Sequence, residues 1–107
     1  MIQSIDQQFP LEIEFDDLPS TCECNIIDCR STQEFESSHL NEAINIPLQH
    51  LSIEVDNFPF NKEDTFFIYC NSGNRSRTFA TFLRSLGFLK CQSIAGGLEL
   101  WGDSPTC

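Results

Sequence analysis

Two short apolar runs, NIIDC at residues 25–29 and TFFIYC at residues 65–70, set the tightest limit on what this chain can fold into. Each is rich in β-branched or aromatic residues, the pattern of a strand covered on both faces in a parallel sheet. CQSIAGG, from Cys91, is a weaker third strand ended by a glycine pair, and LEIEF at residues 11–15 alternates like an edge strand. Helix-like segments lie between these runs. Ser31 or Thr32 caps a short helix whose first turn carries Glu34, at the positive end of the helix dipole. After Cys70, the residues Phe79, Phe82, Leu83 and Leu86 fall at i, i+3, i+4 and i+7, which predicts one buried stripe, with Gly87 ending the helix. Strands alternating with helices predict βα units with right-handed crossovers, hence an α/β fold with a small, mostly parallel sheet.

The 107 residues suit one domain, 1–107, with no room for a second core. Glycine and proline punctuate single turns, and no repeat, low-complexity tract or linker interrupts the pattern. Hydrophobic residues at 40% and charged residues at 21% lie near globular averages, which argues against disorder and against a membrane protein. Six basic residues against sixteen acidic give a formal charge of -10, which disfavours nucleic acid and anionic membranes and favours small molecules or basic proteins as partners. No apolar run approaches the roughly 18 residues that cross a bilayer, and the first twenty residues lack the pattern of a signal peptide. A cytoplasmic protein is therefore predicted, with its six cysteines reduced.

Chemistry concentrates after the second apolar run. In open α/β sheets the working site lies beyond the carboxyl ends of the strands, and Cys70 stands there, followed by Asn71, Ser72, Gly73, Asn74 and Arg75 at the entrance to a helix. Such a loop turns successive backbone N–H groups inward as an anion nest, and the helix N-terminus adds positive partial charge. Gly73 supplies the freedom for that curvature, and Asn74 tolerates left-handed geometry. A sulfur at the centre is stabilised as thiolate and becomes a nucleophile, with Arg75 and Arg77 giving an acidic molecule a locally positive pocket. The competing reading, an inert buried cysteine before an ordinary helix, stays open on spacing alone.

The surrounding text resembles the rhodanese family of sulfurtransferases. IIDCRSTQEFESSHLNEAINIPL at residues 26–48 is similar to the family's first signature, IYCNSGNRSRTFATFLRSLGF at residues 68–88 to its active-site strand, loop and helix, and IAGGLELW at residues 94–101 to its closing segment. The likeness covers about residues 25–101 in order. It implies a small parallel sheet flanked by helices on both faces. It also implies a persulfide mechanism, in which Cys70 takes the outer sulfur of thiosulfate or a persulfide and passes it to cyanide or a thiol. Asn71, Ser72, Gly73, Asn74, Arg75 and Arg77 would bind the donor, the first four mainly through backbone amides; no cofactor is implied. The related cell-cycle phosphatases use a loop of five residues between Cys and Arg, whereas four separate Cys70 from Arg75, a ring suited to one sulfur atom. A phosphatase is thus the weaker alternative, and a noncatalytic binding module is another.

Other residues invite simpler readings. Asp28 and Arg30 suit an ion pair that fixes the loops around the site, and His39 a hydrogen-bonding brace beside a turn. Trp101 and the Gly96-Gly97 pair read as packing and turn residues, the glycines allowing close approach to the pocket. Cys22, Cys24 and Cys29 have no standard zinc spacing with His39 or His50, so no metal site is predicted. Cys107 or the Cys22 and Cys24 pair offers a sulfur relay, with bystander thiols as the simpler reading. Two departures from the family pattern stand out: Asn41-Glu42 precedes Ala43 where many members have glycine, and Asn71 stands where some members have a basic residue, which weakens the case for thiosulfate and opens one for a protein persulfide.

Overall fold

The computed structural model describes residues 10–18, 25–40, 43–51 and 57–98. Among them five strands, Glu12–Ile13 (β1), Ile26–Asp28 (β2), Ala43–Asn45 (β3), Phe66–Tyr69 (β4) and Cys91–Ile94 (β5), form one sheet in the order β1-β5-β4-β2-β3. Every pairing is parallel. Two α-helices, Thr32–Ser37 (α1) and Asn74–Ser85 (α2), and the 3-10 helices Phe15–Asp17 and Leu48–His50 complete the described elements. The α/β fold with a small parallel sheet agrees with the expectation from sequence.

Strand β4 shows why its sequence is apolar throughout. Phe66 and Ile68, with Cys70 just beyond the strand, enter one core with Phe79, Ala80 and Leu83 of α2, while Phe67 and Tyr69 enter a second with Ile26, Leu40 and Ile94. Ile13 and Phe15 pack against that second core. Both faces are covered, so apolar and aromatic side chains fill every position, and the one hydroxyl, on Tyr69, accepts from the Leu40 N–H at 3.0 Å. Of LEIEF, only Glu12 and Ile13 form the strand, at the sheet edge beside β5. Strand β3 had no counterpart among the predicted strands. It is three residues long, its Ile44 is 40% exposed, and Asn45 Nδ2 holds it by donating to the carbonyls of Asp28 and Arg30 at 3.0 Å each.

The helices refine two readings. Ser31 is the N-cap of α1 and forms a capping box with Glu34: the Glu34 N–H donates to Ser31 Oγ at 3.2 Å, and the Ser31 N–H donates to Glu34 Oε1 at 3.0 Å. In α2 the buried face is Ser76, Phe79, Ala80 and Leu83, whereas Phe82 and Leu86 are 39% and 37% exposed. The predicted stripe was therefore half wrong. Ala80 and Ser76 are small enough to let α2 approach the sheet closely, which rotates Phe82 and Leu86 to its rim. The helix ends at Gly87 as expected, with the Phe88 N–H donating to Leu83 O and the Gly87 N–H to Arg84 O, both at 3.1 Å.

The strand order positions the site. From β2 the chain moves outward to β3, and from β4 it moves outward in the opposite direction to β5. The carboxyl ends of β2 and β4 thus diverge into separate loops, leaving the crevice where α/β folds place ligands. No described helix is long and apolar enough to cross a membrane. Asn41, Glu42, Cys22, Cys24, Trp101 and Cys107 lie outside the described residues.

Candidate active site

Strand β4 delivers Cys70 into this crevice, and the chain then turns through Gly73, whose φ of 99° is the left-handed conformation. Asn74 is instead the first helical residue, so the tight curvature falls on Gly73 alone. A Cβ there would lie 3.1 Å from the Gly96 nitrogen, a second reason for glycine. The first N–H groups of a helix lack intrahelical acceptors, and Gly73, as N-cap, has no side chain to offer one. The sulfur of Cys70 fills that role. It accepts from the Gly73 N–H at 3.0 Å and from the Ser76 N–H at 3.4 Å. Ser76 Oγ lies 3.5 Å from the sulfur and 2.7 Å from Ser93 Oγ, so the β5 serine fixes the hydroxyl beside it.

Cys29, one residue past β2, is the other neighbour of this sulfur, and both side chains are buried. The Cys29 thiol, then the Ser76 hydroxyl and the amides of Ser76 and Gly73, hold the Cys70 thiol down to about 4 against the upward push of burial. The same hydrogen bond to Cys70 raises Cys29 far above the ordinary thiol range, together with burial and the negative charges of Cys70 and Asp28. The hydrogen bond between them thus favours the proton on Cys29 and the charge on Cys70.

A charged frame surrounds the pair. Asp28, fully buried, accepts from the Arg30 guanidinium at 2.7 Å and from the Arg30 N–H at 2.9 Å. Arg30 in turn donates to Asn71 Oδ1 at 3.3 Å and to the Ser38 carbonyl, tying the first loop to the second. Arg75 makes a two-pronged pair with Glu34, at 2.9 and 3.1 Å, and Asn71 Nδ2 donates to the same carboxylate at 2.8 Å. Arg77 points elsewhere and pairs with Glu12 of β1 at 3.0 Å. Ser72 and Asn74 are exposed. The expected positive pocket is thus largely neutralised: Arg75 and Arg77 each face a carboxylate. His39 braces the turn as expected, with Nδ1 2.7 Å from the Phe35 carbonyl and its ring stacked on Phe35 at 3.7 Å.

The Arg75 contact, followed by the Ser31 hydrogen bonds, holds the Glu34 carboxyl at about 2 instead of 4.5, against the upward push of burial. A depressed carboxyl contributes stability that is complete above its unfolded pKa and disappears as pH falls through its folded one. Glu34→Gln should therefore melt lower than the wild type at pH 6, and the gap should close between about pH 4.5 and pH 2. Thermal melting across that range checks this; a gap of constant size down to pH 2 would contradict it.

Three contributors escaped the sequence reading. Ser76 and Ser93 look like ordinary helix and strand serines, and only the crossing of α2 over β5 brings them to the sulfur. Cys29 was visible as a thiol in a strand motif, but its nearness to Cys70 follows from strand register. The Gly96-Gly97 turn does approach the site closely, since the Leu98 N–H donates to the Cys70 carbonyl at 3.0 Å.

The human single-domain sulfurtransferase TSTD1 shares this fold, with a TM-score of 0.80 at 22% identity over 90% of this chain and 98% of that one. Thiosulfate sulfurtransferase PspE of Escherichia coli is 33% identical over 73 residues, covering 68% of this chain and 69% of PspE. Adenylyltransferase and sulfurtransferase uba4 of Ogataea parapolymorpha is 33% identical over 76 residues, but the chain spans only 19% of its length. With residues 13–104 matching the rhodanese-like domain, the chain belongs to the rhodanese-like family.

Proposed function

We propose that the protein is a sulfurtransferase that carries a sulfane sulfur on Cys70, receiving it from thiosulfate or a persulfide and passing it to cyanide or a thiol. The observation that carries this reading is the sulfur at the head of α2, which accepts two backbone N–H groups, an arrangement that favours the thiolate. A thiolate attacks the outer sulfur of the donor, the donor's sulfur–sulfur bond breaks, and sulfite or a thiolate leaves with the electron pair. The terminal sulfur of the resulting persulfide is itself anionic, and the loop of Asn71, Ser72, Gly73 and Asn74 offers it backbone amides. Arg75 orients the donor when its pair with Glu34 opens. Arg77, paired with Glu12, serves the β1 edge instead. Kinship with thiosulfate sulfurtransferase PspE supports the reaction class.

The test is thiocyanate formation with cyanide as acceptor and either thiosulfate or glutathione persulfide as donor. Cys70→Ser should lower turnover by a factor on the order of a thousand or more. A thiol with a pKa of about 8.5 loses thiolate steeply below pH 8, but Cys70 stays ionised. The rate of sulfur uptake should therefore stay nearly level from about pH 8 to about pH 6. Transfer by Cys70→Ser at the wild-type rate, or none from either donor by the wild type, would overturn the proposal.

A further inference from the structure

The register of β2 and β4 places two thiols side by side. Ile26 faces Phe67, Ile27 faces Ile68 and Asp28 faces Tyr69, so the next pair along the ladder is Cys29 and Cys70. The ladder continues that far, because the Cys29 N–H donates to the Tyr69 carbonyl at 3.1 Å. Side chains alternate between faces along each strand, and both sulfurs fall in the core that holds Ile27 and Ile68. Adjacent strands run about 4.8 Å apart, inside the range of about 4.4–6.8 Å between Cα atoms that a disulfide spans. Cys91, the third described thiol, pairs in register with Phe66 at the opposite end of β4. Among the described thiols, the register therefore sets Cys29 beside Cys70 and leaves Cys91 at the far end of the strand.

We propose that Cys29 resolves the Cys70 persulfide when no external acceptor is present, giving the domain a second activity: reductive release of sulfane sulfur as hydrosulfide. This inference rests on the persulfide reading of Cys70. The Cys29 sulfur attacks Cys70 Sγ, a bond forms between the two cysteine sulfurs, and the bond from Cys70 Sγ to the terminal sulfur breaks. The terminal sulfur leaves with the electron pair and takes the Cys29 proton, departing as HS⁻. It gains two electrons, which the two cysteines lose in becoming a disulfide, so no outside oxidant enters. A dithiol reductant then restores both thiols by exchange.

The experiment treats reduced protein with glutathione persulfide without oxygen or cyanide, quenches with an alkylating agent, and maps cysteine peptides while hydrosulfide is assayed. Wild type should yield a Cys29–Cys70 cross-linked peptide and one hydrosulfide per chain. Cys29→Ala, which also loses a hydrogen bond to Cys70, should take up one sulfur atom more slowly and keep it on Cys70, with hydrosulfide release per persulfide formed down at least about tenfold. Cys29→Ser, compared with Cys29→Ala for folding by circular dichroism, guards against an effect of the cavity that alanine leaves. Wild type holding its persulfide as long as both variants do, with no cross-link, would overturn the inference and leave the sulfurtransferase intact. Sulfur uptake by none of the three chains would overturn both readings together.

Discussion

Gly97→Ala should destabilise the protein by about 2–5 kcal/mol and impair sulfur transfer as well. A Cβ at Gly97 would stand 2.0 Å from the Cys70 carbonyl oxygen and 2.7 Å from that of Asn71, and its φ of 54° adds left-handed strain for any residue with a side chain. The obstacle is backbone rather than a flexible side chain, so one of the two loops must move. Overpacking costs about 1–3 kcal/mol, and the left-handed conformation about 1–2 more. In a domain of this size each kcal/mol lowers the melting temperature by roughly 4–8 °C, which puts the expected drop at about 10 °C or more. The displaced Cys70 carbonyl would carry its sulfur away from the Gly73 and Ser76 amides. Melting and thiocyanate formation, measured on one preparation, test both effects; a variant with wild-type values in both would refute the close approach.

The second large effect is expected at Asp28. Removing its carboxylate by Asp28→Ala leaves the Arg30 guanidinium, only 5% exposed, without its countercharge. Breaking a buried pair in this way costs about 3–5 kcal/mol, whereas replacing both partners by apolar residues of similar volume is often neutral. Asp28→Ala should thus lose about 3–5 kcal/mol in denaturant unfolding, and adding Arg30→Met should recover much of it. If the double variant is no more stable than Asp28→Ala, the loss does not come from the stranded charge. Activity gives a separate readout, because Arg30 reaches Asn71 in the Cys70 loop.

Much of this was legible in the residues, and the failures share a cause. The runs FFIY and IID announced central strands because burial on both faces favours apolar side chains at successive positions, the polar Asp28 and Tyr69 standing at the strand ends with hydrogen-bond partners. Cys70, Gly73 and the helix behind them were legible because sharp turns and helix starts require particular residue types. Strand β3 was not, since three residues with an exposed Ile44 carry no period. The stripe on α2 was misread at Phe82 and Leu86 because hydrophobicity was counted and size was not: the close approach to the sheet selects Ser76 and Ala80. Ser76, Ser93 and the neighbourly position of Cys29 depend on how elements cross and align, and no local pattern encodes that. The charge of the pocket was misjudged for the same reason, because Glu34 and Glu12 come from distant segments to meet Arg75 and Arg77.

The edge pairing of β1 with β5 has a consequence for how the chain is made. Glu12 and Ile13 emerge from the ribosome early, but their partners Ser93 and Ile94 are synthesised long after them. Until then β4, whose FFIY run is the most aggregation-prone segment of the sheet, has β2 on one side and an open edge on the other. Such non-local closure is slow. The nascent protein therefore passes through a stage in which β4 is its most adhesive surface, and β5 ends that exposure by docking beside the strand that leads to Cys70.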